Sequence, residues 1–357
     1  MGSIVTADIV ASSTSPCQLP AEVELADYLV AEEGYCVAVR ALASKEVYNV
    51  VEGCDEVFHT IKKGHILIGS LGERQALKGY SGRIPRRIQV GDTLHVLNMG
   101  GIIGLCTSDH PNLGPALPVE VLGAVIDQAD GVRTHARIQD YALDPVYNLA
   151  ESAPLVMVAG TSMDTGKTYA CAKIVQGLTE RGLQVGAAKL TGASLMRDVR
   201  AMKENGAIAV ATFTDAGIVA STNKVMPPFA KAMIASLNDY EPDVIVLELG
   251  DGFIGYYGVD DLLQDKELAR HTKAHVVAAT DLAGVWAADQ LYRSRYRSEI
   301  TVMVGPVTDN LVGKQYIQNA LGIAAHNAIT EPEAIVDAVV QALHTTPNVT
   351  APMRGII

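Results

Sequence analysis

The residues best suited to chemistry lie in one stretch, Gly160-Thr161-Ser162-Met163-Asp164-Thr165-Gly166-Lys167-Thr168. A turn of this kind wraps successive backbone N–H groups around an anion, and the helix that follows adds the positive end of its dipole. In that setting Gly166 lets the backbone approach a phosphate. Lys167 brings a cation to the β- and γ-phosphates, and the Thr168 hydroxyl is placed for Mg²⁺. The strict spacing asks for a glycine five residues before Gly166, where this chain has Thr161; its glycine stands one place earlier, at Gly160.

Such a loop works only between a buried strand and a helix, and the flanking sequence supplies both. Leu155 to Ala159 is a continuous apolar run, as expected of a central parallel strand covered on both faces. Thr168 to Arg181 places Ala170, Cys171, Ile174, Val175 and Leu178 on one helical face, and Gly182 ends it. Further strands are expected at 183–188, 244–249, 275–280 and 300–304. Helices are expected near 229–237, 260–271, 284–295, 314–320 and 331–344. This alternation predicts a doubly wound, mostly parallel α/β sheet over residues 146–357. Glu248 and Asp251 fall at the carboxyl end of a strand, the edge where open α/β sheets bind ligands. They are candidate Mg²⁺ ligands with Thr168, and an acidic helix cap is the plainer alternative.

The first part of the chain reads differently. Short apolar runs at 35–39, 48–51, 65–68, 93–97 and 119–126 are separated by turn signals, the pattern of a small β-rich, barrel-like domain over residues 1–145. Lys62-Lys63-Gly64-His65-Ile66-Leu67 and Gln89-Val90-Gly91-Asp92-Thr93-Leu94 each set a turn glycine before a strand. They suggest a duplicated barrel half. The polar, Pro-bracketed stretch 144–154 is the expected linker.

The loop resembles that of dethiobiotin synthetase and its relatives, a branch of the P-loop NTPases that includes cobyric acid synthase-like amidotransferase domains and metallochaperone GTPases. Gly160, Thr161, acidic Asp164 and Gly166-Lys167-Thr168 carry the likeness, while Ser162, Met163 and Thr165 depart from it. Ala188-Lys189-Leu190-Thr191-Gly192 is similar to the family's Lys-containing segment, which implies that Lys189 is a second catalytic cation beside Lys167. Leu247-Glu248-Leu249-Gly250-Asp251-Gly252 resembles the segment whose Glu helps to hold Mg²⁺, implying a catalytic role for Glu248. The resemblance also offers Asp198 as a further metal ligand, with a surface Asp on an Arg-flanked helix as the alternative. Asn310, after the strand 300–304, is in the same way a base-contact candidate or a helix N-cap. At Asp281 and Trp286 the family's loop faces substrate, but the single Trp fits a core or interface position better. The likeness spans about 180 residues by the span of these motifs and leaves the first domain unexplained.

Composition narrows the partners. A net charge of −12 with only four Phe and one Trp disfavours nucleic-acid backbones, base-stacking surfaces and anionic membranes. Arg83, Arg86 and Arg87 form a local basic run, read as a solvated loop ahead of a ligand-facing patch. Five isolated cysteines suit reduced core thiols better than disulfides or zinc. No apolar stretch has the length of a membrane span and no leader pattern is visible, so a cytoplasmic protein is expected.

The leading expectation is an ATP- and Mg²⁺-dependent ligase or kinase acting on a small metabolite, working as a homodimer. Asn223-Lys224 is followed by Val225-Met226 and so lacks the guanine-reading Asn-Lys-x-Asp pattern, which favours ATP. An acyltransferase that cradles acyl-CoA on the same loop, with an amino-acid-like substrate, is the second reading. A nucleotide-switched chaperone or regulator is the third, although no Cys/His cluster supports a metallochaperone. Lys167→Ala is expected to abolish nucleotide binding with the fold intact; unchanged ATP affinity by titration would remove the assignment.

Overall fold

The computed structural model describes residues 3–128 and 131–345 of the chain. In the first domain, strand Cys36–Ala41 pairs antiparallel with Ile66–Leu71, which runs parallel to Ile102–Ser108. Ile102–Ser108 pairs antiparallel with Thr93–Val96, and Thr93–Val96 with Leu117–Asp127. The far side of Leu117–Asp127 returns to Cys36–Ala41. Five strands therefore close into a barrel, which leaves no exposed edge within the ring. Alternate residues fill its interior, among them Val37 and Val39, Leu94 and Val96, and Val119 and Val121. The two similar phrases form similar turns: His65 N donates to Lys62 O and Asp92 N to Gln89 O, each just ahead of a barrel strand.

Residues 142–154 contain no helix or strand. The second domain then runs β1 (Leu155–Gly160), α1 (Lys167–Glu180), β2 (Val185–Thr191), α2 (Arg197–Glu204), β3 (Ala209–Thr212), α3 (Pro227–Asn238) and β4 (Val244–Leu249). It continues with α4 (Val259–Gln264), α5 (Lys266–His271), β5 (Thr272–Ala278), α6 (Leu282–Leu291), β6 (Val302–Val304), α7 (Leu311–Tyr316), β7 (Ala324–Ala325) and α8 (Pro332–His344). The strands lie in the order β3-β2-β4-β1-β5-β6-β7, with every neighbouring pair parallel. β1 shows why its sequence is apolar throughout. Leu155, Met157 and Ala159 enter one core with Phe213, Met233 and Val285, while Val156 and Val158 enter the other with Ile174, Val199 and Val336. Both faces are covered, so no position on the strand meets water.

Three expectations need correction. The helix expected over 260–271 is two helices, because Asp265 is extended (ψ 120°) and its carboxylate accepts from Glu267 N and Leu268 N as a new N-cap. The helix expected over 284–295 ends as α at Leu291 and continues as a π turn, Tyr292–Tyr296. Two further parallel strands, β3 and β7, extend the sheet beyond the five expected; they are four and two residues long and too short for a periodicity to show. The five cysteines are free, three of them buried. Among the described residues no helix is long and apolar enough to cross a membrane.

The barrel grips the second domain just ahead of α2. Glu52 is wholly buried, and its Oε2 accepts from Met196 N at 2.7 Å. Arg200 approaches Glu52 at 3.8 Å and also donates to the Glu56 carbonyl. Asn98 Nδ2 donates to Ser194 O at 2.8 Å. Glu33 accepts from Val219 N and pairs with Lys224, while Val219 and Ala220 pack into the barrel-side core. Removing the Glu52 carboxylate leaves the part-buried Met196 N–H without its acceptor, at a cost of about 1–3 kcal/mol. Glu52→Ala is therefore expected to shift the denaturant midpoint by a corresponding amount. An unchanged midpoint would show that this contact does not hold α2.

Candidate functional site

The loop at residues 160–166 connects the end of β1 to α1, and its first residue explains the shifted glycine. A Cβ on Gly160 would stand 2.6 Å from Thr165 Oγ1 and about 3 Å from the Lys167 side chain. The glycine at this position is what allows the loop to fold back over its own lysine. Gly160 O accepts from Phe253 N, and Thr161 N donates to Ala278 O, so the loop is pinned between the ends of β4 and β5. Asp164 has a positive φ of 58° and Gly166 one of 88°, which turns the chain tightly ahead of the helix. Lys167 is buried and donates from Nζ to Ser162 O at 2.7 Å, with Thr165 Oγ1 at 3.4 Å. Burial lowers its pKa, and Glu248 and Asp251 act against that shift.

Glu248 stands in register between Val158 of β1 and Lys189 of β2, near the carboxyl end of the sheet. Its Oε1 accepts from Thr168 Oγ1 at 2.8 Å. Its Oε2 is buried without a hydrogen-bond partner. Burial first and the nearby Asp198 second raise its pKa, while Lys189, Thr168 and Lys167 act to lower it. A dehydrated carboxylate with an unsatisfied oxygen beside a threonine hydroxyl is a donor set suited to Mg²⁺, which keeps several waters and takes one or two protein oxygens. Among the described residues no group of three or more His, Cys, Asp or Glu forms a denser metal site.

Lys189 and Asp198 form a buried ion pair, with Arg197 Nε 3.5 Å from the other carboxylate oxygen. Burial alone would depress the Lys189 pKa, but Asp198 and Glu248 outweigh it and the ammonium is held above its ordinary value. Asp198 is held below its own by Lys189 despite its burial. Asp198, which the resemblance offers as a further metal ligand, is paired in this structure with Lys189. It is no surface residue, since α2 turns it inward.

Asp251 has φ 69°, and its Oδ1 is buried without a partner. Burial raises its pKa, with Lys167 and Arg74 pulling the other way. Asn310 caps α7: its Oδ1 accepts from Val312 N at 3.0 Å, the plainer of its two readings. Asp281 caps α6 in the same manner through Gly284 N, and that bond lowers its pKa. Trp286 is 57% exposed on α6, so a core position is excluded. Arg83, Arg86 and Arg87 are exposed; Arg83 ends the strand Ser81–Arg83, and Arg86 and Arg87 lie in the loop after it.

Two residues near the loop had no signal in the sequence. Lys78, from the barrel, lies 3.3 Å from Asp164, and buried Arg74 exerts its charge on Asp251 and Tyr257. Nothing local to either marks it out, because Lys78 reaches the loop, and Arg74 acts on Asp251 and Tyr257, across a domain boundary.

A central parallel strand, a glycine loop over a buried lysine, a threonine opening the helix and an acid on the adjacent strand define the P-loop NTPase type of α/β fold. No family model and no curated protein matches the chain. Similar solved structures include the signal recognition particle receptor FtsY of Elizabethkingia anophelis, 12% identical over 53% of this chain and 66% of that one, with a TM-score of 0.38. A DUF1611 family protein of Anabaena variabilis is 12% identical over 56% of this chain and 63% of its own, with a TM-score of 0.38. The 54 kDa signal recognition particle protein of Aeropyrum pernix K1, solved in complex with GDP, is 14% identical over 55% and 50%, with a TM-score of 0.36. The chain spans about two thirds or less of the length of these three. Likenesses at this level say nothing of activity.

The raised pKa of Glu248 has a consequence for stability. An acid whose folded pKa lies above its unfolded value, 4.5 for Glu, contributes stability that is present below the unfolded pKa. That contribution is lost as pH rises through the folded value. Glu248→Gln keeps the shape and the Thr168 contact without the charge. It is expected to raise the Tm of the ligand-free protein at pH 7–8 relative to wild type, with the difference shrinking below pH 4.5. A lower Tm for the variant at pH 8 would mean that Lys189 and Thr168 fully compensate the carboxylate.

Proposed function

We propose that this protein is an ATP- and Mg²⁺-dependent ligase or kinase acting on a small metabolite. The observation that carries the reading is the juxtaposition of Thr168 Oγ1, the buried and unpartnered Glu248 Oε2, and the Lys167 ammonium at one end of the sheet. Thr168 and Glu248 would hold Mg²⁺, which when bound supplies positive charge to the phosphate oxygens. The loop N–H groups and the start of α1 bind and orient the phosphate chain. Lys167 stands where it can neutralise charge on the terminal phosphates. Lys189, kept protonated by Asp198, offers a second cation of fixed position. Phosphoryl transfer asks chiefly for this kind of positioning and electrostatics.

ATP is favoured over GTP by the fate of the Asn-Lys dipeptide. Lys224 pairs with Glu33 of the barrel, and Asn223 N donates to Tyr256 O within the second domain, so the lysine serves the contact between domains and the asparagine backbone a local turn. The substrate would enter beside β2 and β4, where Lys189 and Asp251 lie close enough to Lys167 to act on its charge. A homodimer and a cytoplasmic location are part of the same reading.

Thermal stabilisation of the full chain by Mg-ATP, Mg-GTP and acetyl-CoA tests it. Mg-ATP at 100 times its Kd should stabilise the protein by about 2.7 kcal/mol. That gain should disappear in Lys167→Ala and weaken without Mg²⁺. Stabilisation by acetyl-CoA alone would replace the reading with the acyltransferase, and a response to Mg-GTP alone would overturn the choice of nucleotide.

A further inference from the structure

The loop between strands Ile66–Leu71 and Ser81–Arg83 belongs to the barrel, yet it ends over the phosphate loop. It is held with unusual care for an exposed connection. Arg74 is 4% exposed, and its guanidinium donates to the carbonyls of Lys78 (3.3 Å), Tyr80 (3.3 Å) and Leu97. Its backbone exchanges hydrogen bonds with Gly82 in both directions. Gly79 makes room for this: at φ 108°, a Cβ there would stand 2.7 Å from Arg74 Nη1. Gln75 N approaches Thr222 Oγ1 at 3.4 Å, which ties the loop to the second domain. A buried cation spent on carbonyls is a costly way to fix a loop, and what it fixes is the backbone at Lys78 and Tyr80 against Leu97.

Among the described residues the Lys78 side chain pairs with Asp164 of the phosphate loop, at 3.3 Å. Both are more than half exposed, at 56% and 71%. An ion pair so open to water adds little to stability, so exchanging one anionic partner for another costs little. The geometry therefore couples a rigidly aimed backbone to a weakly held ammonium at the mouth of an anion cradle.

We propose that Lys78 is a phosphate-contacting cation of the site, supplied by the barrel domain, which leaves Asp164 for the terminal phosphate of a bound nucleoside triphosphate. This rests on the nucleotide reading above and assigns the barrel a direct part in it. A diphosphate has no terminal group at that position, so Lys78 distinguishes triphosphate from diphosphate. Asp164 competes with the phosphate for the ammonium and also repels the phosphate directly.

The test is the affinity of the full chain for Mg-ATP and Mg-ADP in wild type, Lys78→Ala, Lys78→Arg, Asp164→Asn and the double variant Lys78→Ala/Asp164→Asn. Lys78→Ala should weaken Mg-ATP at least fivefold and Mg-ADP less than twofold, with Lys78→Arg restoring most of the loss. Asp164→Asn should tighten Mg-ATP more in the wild-type background than in Lys78→Ala. Equal loss for both nucleotides, or no loss for either, would overturn the assignment while leaving the nucleotide reading in place. A wild-type chain that binds neither nucleotide would overturn that reading, and this assignment with it.

Discussion

Four ionisable side chains, Lys167, Lys189, Asp198 and Glu248, are removed from water at one end of one sheet, and the rest of the site is arranged around that fact. Each alone would be prohibitively costly to bury. Two of each sign, adjacent, reduce the cost without cancelling it evenly. Lys189 and Asp198 satisfy each other, and their opposed pKa shifts describe a pair that stays charged. Glu248 is left with one hydroxyl donor and an orphaned oxygen, and Lys167 with a carbonyl and a hydroxyl. The uneven sharing leaves the site anionic at Glu248 and cationic at Lys167, the two charges that a metal–phosphate ligand would complement.

Holding that arrangement is work divided between the domains. Lys189 and Glu248 are fixed by the register of β2 and β4, which parallel pairing sets over several residues. Asp198 rides on α2, an eight-residue helix too short to be stable alone. Its N-terminal approach is fastened from the barrel by Glu52 and Asn98. Part of the buried charge balance in the second domain therefore depends on contacts made by the first. The barrel also brings Lys78 to within 3.3 Å of Asp164 in the loop that follows β1.

Much of this was legible in order of residues. The loop 160–168, its strand and its helix were marked by patterns that local physics enforces: consecutive N–H groups must converge, and a strand buried on both faces must be apolar throughout. Glu248 stood out because a charge near the end of such a strand demands a reason. Asn310 and Asp281 remained ambiguous because a helix cap and a ligand contact call for the same short polar residues. The pairing of Asp198 with Lys189 was not legible, because the two lie nine residues apart across a turn whose course no periodicity reveals.

The sequence by itself determined the fold class and the phosphate loop, since both are built from neighbours in the chain. Short-range spacing suffices to fix strand burial, helix faces and an anion cradle. Only the tertiary structure decided how the charges are shared, which strands close the barrel, and that Arg74 and Lys78 approach residues 164 and 251 from more than 80 positions away. Electrostatic partnership depends on distance and on exclusion of water, and neither quantity exists along a chain until it has folded.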